Sequence, residues 1–564
     1  MTIARLKDLL ASRMTFAVLA GVLLACAYEK FGVAGFAWVA PGALVAAALG
    51  LRGWSAFRIG YFGGLAFNLI LLHWLLLIPY RWHGIPFGPA LGWLCLSAFL
   101  ALYPATWVWM ICSIAPVHSG DLHNSNAWGA LRSLVASRWS ARARWGLMGA
   151  AAWVGFEMIQ ARLLSGFPWS ILGITQYRML PLIQCASVAG VYGVSFLLVW
   201  TSLCGLCAVG KSVLAGGRSS WAADMILPVM VVAVVFAQGF RTLRLPEGPG
   251  RTWRVLLVQP SIPQNLIWES ANDDARFAEL LALSEQGMTN HPQAVIWPEA
   301  AVPKLVRLDE KTLESVTGFA KRHRVWMILG SDDAEPPERR PGPGDPQAIF
   351  RNSSFLVAPD GVLQDRYCKR NLVIFGEYIP LVRWMPFLKW FTPIDGGFTP
   401  GDRPVTFHLE DPPLRASVMI CFEDVFPHLA REYVAQDTDV LVNIANNGWF
   451  GESAAQWQHG AAGIFRAVEN NIPLVRCGNN GLSCRVDRSG ALRQIFRDAG
   501  SGSVHGKGTL LIDVPIALSR GEPTFYNRHG DVFGWACVGL TGTQLLAWLA
   551  AKRRRNGGVE SGGN

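Results

Sequence analysis

Three residues of this chain stand where a strand would stop and chemistry could begin. Ser417-Val418-Met419-Ile420 ends in Cys421, Ala294-Val295-Ile296-Trp297-Pro298 ends in Glu299, and the strand-like Arg366-Tyr367-Cys368 is followed by Lys369. A carboxylate, an ammonium and a thiol at strand ends can converge on one edge of a sheet. Together they would suffice for acyl chemistry. The thiolate is the reactive form of cysteine, and a free thiol ionises near ~8.5. Something nearby must therefore ionise it. Alone, Cys421 would be a small buried hydrophobe. Its partners make it a nucleophile.

The segment that must position these residues runs from Arg251 to about Pro515. Short β-rich runs (Val255–Val258, Ala294–Trp297, Val325–Leu329, Ser417–Ile420, Val440–Ile444, Leu474–Cys477) alternate with helical stretches such as Asp309–Arg322 and Ser453–Asn470. This alternation predicts an α/β domain whose sheet is covered by helices. Glu335–Pro346 is proline-rich and predicts an exposed loop.

The rest of the chain has another composition. Of its 564 residues 51% are hydrophobic and 16% charged, with a mean hydropathy of +0.27. A soluble protein of this size would expose too much apolar surface, so a polytopic α-helical membrane protein is expected. Apolar runs extend over Met14–Tyr28, Gly32–Leu51, Ala56–Tyr80, Gly88–Val117, Trp145–Leu164, Leu182–Val209, Trp221–Gly239 and Val532–Leu549. Each is near the ~20 residues that cross a bilayer, giving about eight transmembrane helices. Glu157 lies on the fifth run and should face the bundle interior or the interface. The 24 tryptophans fit indole rings at headgroup level.

Charge sets orientation. The net +10 falls in short clusters beside apolar runs: Arg52, then Arg132, Arg138, Arg142 and Arg144, then Lys211 and Arg218, then Lys552 to Arg555. These are topology signals, which favours anionic lipid over nucleic acid as the basic-patch partner. The expected division is a membrane domain over 1–240 with about seven transmembrane helices, a catalytic domain over 251–515 on the outer side, a last helix over 531–551 and a basic cytoplasmic tail over 552–564. Both termini are then cytoplasmic. The eleven cysteines form no regular framework. Cys204 and Cys207 have metal-like spacing but no second ligand pair, so packing is expected and no metal. Cys477 and Cys484 could pair as a disulfide.

Three motifs in this order resemble a family. Trp297-Pro298-Glu299, Lys369 followed by Phe375-Gly376-Glu377-Tyr378-Ile379-Pro380, and Cys421-Phe422-Glu423 resemble the Glu-Lys-Cys triad of the nitrilase (carbon–nitrogen hydrolase) superfamily. An outer domain flanked by seven spans and one is similar to the apolipoprotein N-acyltransferases, over nearly the whole chain. The resemblance implies an α-β-β-α sandwich on the periplasmic side of a bacterial inner membrane. Cys421 would attack a phospholipid ester, with phosphatidylethanolamine the implied donor, and hold the acyl chain as a thioester. Glu299 would be the base and Lys369 the oxyanion partner. The amine of a diacylglyceryl-cysteine on an apolipoprotein would then take the chain, with no cofactor. Glu377 would orient Lys369 or assist proton transfer, and Glu423 would hold the cysteine loop; ordinary ion-pair or capping roles are the alternative for both. Phe422, Asn446 and Trp449 would line the substrate side, with a tight turn the alternative for Asn446-Asn447-Gly448-Trp449-Phe450. Trp268 would touch acyl chains or pack as an ordinary indole.

The run Tyr378–Phe398, with Trp384, Phe387, Trp390, Phe391 and Phe398, carries more apolar surface than a soluble domain normally exposes. It predicts an arm dipping into the lipid, with a core loop as the alternative. Two other functions fit parts of the pattern. A membrane-anchored carbon–nitrogen hydrolase would use the same triad with water as acceptor. A transporter would carry paired polar residues at mid-depth, and Arg58, His73 and Glu157 form no such path.

Overall fold

The computed structural model describes residues 12–79, 87–117, 127–214, 221–244, 250–267, 269–337, 348–382, 384–386, 397–434, 437–518 and 521–560. The chain divides into two compact units: Met1–His73, Gly92–Thr242 and Asp531–Asn564 form a helical unit, and Trp74–Leu91 with Leu243–Gly530 forms an α/β unit. The grouping of Trp74–Leu91 with the α/β unit has no counterpart in the hydropathy pattern.

Among the described residues, four helices are long and apolar enough to cross a membrane: Gly88–Ser113, Ala186–Leu214, Trp221–Leu243 and Val532–Ala550. The apolar run Gly32–Leu51 is not one span. It folds as a 3-10 turn, Ala34–Trp38, and a nine-residue helix, Ala40–Ala48, too short to cross by itself. A further helix, Ala127–Ala136, occupies a stretch read as loop. The last helix runs on from Val532 to Glu560, through the basic residues expected to form a separate tail.

Small residues let these helices approach closely. A Cβ on Gly21 of Arg13–Cys26 would lie 2.0 Å from the Gly63 carbonyl oxygen of Gly53–Leu71, so the two backbones touch there. The indoles are not confined to a headgroup belt. Trp107 and Trp145 are buried and donate to Gly149 O (2.8 Å) and Ile111 O (3.0 Å), because a buried N–H must find an acceptor. Glu157 faces inward as expected, accepting from Leu172 N at 2.7 Å and Trp153 Nε1 at 2.8 Å. Arg142, expected as an exposed topology charge, is buried against Asp224 (Nε–Oδ1 2.8 Å), which Lys211 also meets at 3.2 Å.

The α/β unit holds two six-stranded sheets. One comprises β1 (Gly250–Gln259), β2 (Ala294–Ile296), β3 (Trp326–Glu335), β4 (Ile349–Val357), β5 (Leu363–Cys368) and β12 (Gly508–Ala517), in the order β12-β1-β2-β3-β4-β5. The other comprises β6 (Thr406–Glu410), β7 (Pro413–Ile420), β8 (Val440–Ala445), β9 (Leu474–Gly478), β10 (Cys484–Val486) and β11 (Leu492–Ile495), in the order β11-β10-β9-β8-β7-β6. The centres β1-β2-β3 and β7-β8-β9 are parallel, and the outer strands pair antiparallel. Central parallel strands are buried on both faces, which explains their continuous apolar runs. β8 is buried throughout.

The sheets face each other. The Cys477 thiol of β9 lies 3.5 Å from Val258 O and 3.3 Å from Ile296 O of the other sheet. Cys477 and Cys484, which could have paired, are both free and buried. Helices cover the outer faces. Glu310–His323 is capped by Asp309, whose carboxylate accepts from Thr312 N at 2.9 Å. It buries Val316, Phe319 and Ala320 against Val295, Met327 and Phe355. Full burial of Phe319 contributes roughly 1.5–3 kcal/mol.

Candidate active site

Each chemical side chain follows a strand whose end is fixed independently. After β2, Trp297 N donates to Ile328 O at 2.9 Å, and its buried indole donates to Ser284 Oγ at 2.9 Å. That anchors the chain one residue past the strand, and Pro298 then delivers Glu299. Beneath it Gly330 of β3 is obligatory, since a Cβ would lie 2.5 Å from Pro298 O and 2.7 Å from Glu299 Cα. Lys369 follows β5, and its backbone N–H donates to Asn352 O of β4 at 2.8 Å. Cys421 follows β7 and starts a 3-10 turn, Cys421–Val425.

The side chains converge. Lys369 is 1% exposed, and its Nζ lies 3.2 Å from Glu299 Oε1 and 2.9 Å from Glu377 Oε1. Asn352 Nδ2 donates to the same two oxygens at 2.8 Å each. The second carboxylate oxygens are held by backbone: Asn446 N reaches Glu299 Oε2 at 2.9 Å, and Val373 N reaches Glu377 Oε2 at 2.9 Å. Both acids are fixed before any substrate arrives. Burial alone would push the lysine down, but the charges of Glu299 and Glu377 outweigh it and hold Lys369 well above its ordinary value. It is an ammonium at any working pH.

Cys421 is partly exposed and sits at φ +53, in the left-handed region that costs a non-glycine residue roughly 1–2 kcal/mol. Its thiol is within electrostatic reach of Glu299, Lys369 and Glu377, and the Asn446 N–H can bond its charged form. Desolvation, followed by the Glu299 charge, pushes the thiol well above its ordinary value, while Lys369 and Asn446 pull it back. The thiol therefore keeps its proton until a neighbour removes it.

Glu423 lies buried in the cysteine turn. Its carboxylate accepts from Ile420 N (2.7 Å), Arg370 N (2.7 Å), Asn371 N (3.1 Å) and Tyr367 OH (2.7 Å). One buried acid thus ties the end of β7 to the end of β5. The Asn446 side chain donates to Gln264 Oε1 at 2.8 Å and accepts from Asn479 Nδ2 at 3.0 Å. Phe422 stacks edge-on against Phe426, with ring centroids 5.2 Å apart. Trp449 is partly exposed in the turn Gly448–Phe450. Trp268 lies outside the described residues, as do Phe387, Trp390 and Phe391 of the expected arm; Trp384 and Leu381 are strongly exposed, and Phe398 is partly buried.

Four participants escaped the sequence reading. Asn352 bridges the two acids. Asp332 lies opposite Asn352 in the β3–β4 ladder, hence on the same face; burial, then Glu299 and Glu377, push its carboxyl up to about 7. His459 packs behind Cys421. Trp74 is buried, donates to Gln458 Oε1 at 3.0 Å and sets its ring edge-on to Phe450, centroids 4.4 Å apart. The repeated polar residues of Arg351-Asn352-Ser353-Ser354 were the available signal for Asn352; the others needed the fold.

Comparison with known proteins gives matches at both ends of the chain. Residues 254–506 match the carbon-nitrogen hydrolase family, and residues 20–204 match the apolipoprotein N-acyltransferase N-terminal domain. The chain is 34% identical to an apolipoprotein N-acyltransferase of Geobacter metallireducens over 95% of each chain. It is 27% identical to one of Chlorobaculum tepidum over 87% of this chain and 93% of that relative. Among solved structures, an amidase of Nesterenkonia sp. covers 48% of this chain and 93% of its own at 19% identity, TM-score 0.31. A carbon-nitrogen hydrolase of Helicobacter pylori covers 46% and 88% at 16% identity, TM-score 0.33.

Proposed function

We propose that this chain, which belongs to the apolipoprotein N-acyltransferase family, moves a fatty acyl chain from a phospholipid to the N-terminal amine of a lipoprotein's diacylglyceryl-cysteine through a thioester on Cys421. The observation that carries the mechanism is the buried Lys369 ammonium clamped by Glu299 and Glu377 beside a thiol that keeps its own proton. Glu299 takes the Sγ proton as sulfur attacks the ester carbonyl carbon. Lys369 stabilises the oxyanion, an interaction worth several kcal/mol as an order of magnitude because it strengthens as charge develops. Collapse breaks the ester C–O bond. The glycerol oxygen leaves with the proton held by Glu299, giving a lysophospholipid and the acyl-enzyme.

The second half runs over the same groups. The acceptor amine attacks the thioester carbonyl and gives a proton to Glu299. The C–S bond breaks, and the departing sulfur regains a proton as the amide forms. This is a ping-pong sequence with a covalent intermediate. Glu377 keeps Lys369 charged and aimed throughout, and Glu423 keeps the cysteine turn attached to the lysine strand.

The lipid setting fits this chemistry. The apolar helices are those of a membrane protein, and the exposed Leu381 and Trp384 offer apolar surface suited to lipid. We take the donor to be phosphatidylethanolamine, the membrane to be the bacterial inner membrane, and the α/β unit to lie on its periplasmic side. The test is to incubate the purified full-length protein with acyl-labelled phospholipid. Hydroxylamine-sensitive label on the Cys421 peptide, chased into an amide on a diacylglyceryl-cysteine peptide, is the expected result. Label released only as free fatty acid would make it a hydrolase.

A further inference from the structure

Behind the nucleophile lies a buried imidazole to which the two half-reactions give no task. His459, on the helix Ala455–Asn470, is 1% exposed. Its Nε2 lies 3.1 Å from the Cys421 carbonyl oxygen and 2.8 Å from Asp424 Oδ1, and its Nδ1 lies 3.0 Å from Asn447 Oδ1. Asp424 is itself fully buried and paired with Arg476.

Its partners fix one hydrogen of the ring. Both groups facing Nε2 are oxygens that only accept, so Nε2 carries a hydrogen and shares it between them. Burial, with help from Arg476 and against Asp424, lowers the affinity of the ring for a second proton. Nδ1 bonds the Asn447 amide, and which amide atom faces the ring is an assignment made from the network.

The two ends of the imidazole hold two different turns. One is the turn of Cys421, whose backbone is in the left-handed region and whose carbonyl also accepts from Asn443 Nδ2 at 3.0 Å. The other is the turn after β8, where Asn446, the neighbour of Asn447, sends its N–H to Glu299 Oε2 and toward the Cys421 sulfur. Nucleophile, base contact and thiolate donor are therefore registered through one rigid five-membered ring. We propose that His459, held by Asp424, is a positioning residue that sets the distance between the Cys421 sulfur and the Asn446 N–H–Glu299 pair. The inference rests on Cys421 being the acyl-bearing residue.

The test uses the full-length protein with two shape-related variants. In His459→Gln the amide nitrogen reaches where Nε2 does, so the Cys421 turn stays pinned. In His459→Asn the shorter amide reaches only toward Asn447. Single-turnover acylation of Cys421 should fall about 100-fold in His459→Asn, the scale of a 1 Å misplacement, and recover to within about tenfold in His459→Gln. The pH midpoint for iodoacetamide alkylation of the Cys421 peptide should rise by about one unit in His459→Asn, since the Asn446 donor drifts from the thiolate. Thermal midpoints near wild type establish that the folds are intact. Equal acylation rates and alkylation midpoints in wild type and His459→Asn would overturn the proposal. If either variant fails to fold, Asp424→Asn is measured instead: a loss of about tenfold or more supports it, and a wild-type rate overturns it. A wild-type chain that never labels Cys421 would sink the acyl-enzyme reading itself, a different result.

Discussion

Two buried charge clusters, one in each unit, are built from inverse ratios. In the α/β unit one lysine sits between two acids, Glu299 and Glu377; in the helical unit one acid, Asp224, sits between two bases, Arg142 and Lys211. Both are desolvated. What differs is where the remaining hydrogen-bonding capacity goes. Arg142 uses its other N–H groups on Val135 O and Ser137 O, carbonyls near the end of the helix Ala127–Ala136, so that cluster is closed on itself. The acids of the other cluster are steadied by backbone N–H groups and Asn352, and the cluster faces a strained thiol. Buried charge by itself marks nothing. A buried charge aimed at a nucleophile marks a site.

The comparison can be broken by substitution. Cys421→Ser should abolish the thioester and lower transfer by on the order of 10⁴-fold, as loss of a nucleophile does in coupled catalytic groups. Full transfer by that variant, read as amide product, would remove the site from the argument. Lys369→Ala should slow acyl-enzyme formation about 10²–10³-fold, and Lys369→Arg should not rescue it, because the bulkier planar guanidinium does not fit a site in which one nitrogen meets both Oε1 atoms within 3.2 Å.

Arg142→Ala tests the other cluster. It leaves Asp224 buried beside Lys211 alone and should cost about 3–5 kcal/mol of stability, seen as a lower unfolding midpoint. The acylation rate per folded molecule should remain at the wild-type value; a change there would show that the two clusters do not differ as described. The smallest effect belongs to Asp332→Asn. With its carboxyl pushed up to about 7, Asp332 is neutral below that pH and negative above it. The substitution should change the maximal rate by no more than about threefold and erase an inflection near pH 7 in the rate profile.

How much of this was legible before the fold depended on the range of the contacts. Glu299, Lys369 and Cys421 each end an apolar or strand-like run, a local pattern, and the structure brings all three together. The six expected strands are the buried central ones. The six outer strands went mostly unread because sequences such as Leu363-Gln364-Asp365-Arg366 in β5 and Leu492-Arg493-Gln494-Ile495 in β11 carry polar residues at half-exposed positions. Arg142 was read as a topology charge because its acid partner is 82 residues away. Asp332 needed the β3–β4 register, and His459 needed the packing of the helix Ala455–Asn470 against the cysteine turn. Hydropathy also joined Gly32–Leu51 into one span, since it does not register the break at Val39 between the 3-10 turn and the short helix.

The position of Trp74 bears on how this protein can be taken apart. Its indole fills the α/β unit at Gln458 and Phe450, although 384 residues of chain separate it from Gln458. A soluble fragment cut at the composition boundary near residue 250 would contain every group of the reaction and still lack that plug. Phe450, one turn from Asn446, would face solvent on an edge now covered, and Gln458, next to His459, would lose its indole donor. The catalytic half of this sequence is thus not a cassette that can be excised and moved. Its last piece of interior arrives from the first eighty residues of the chain.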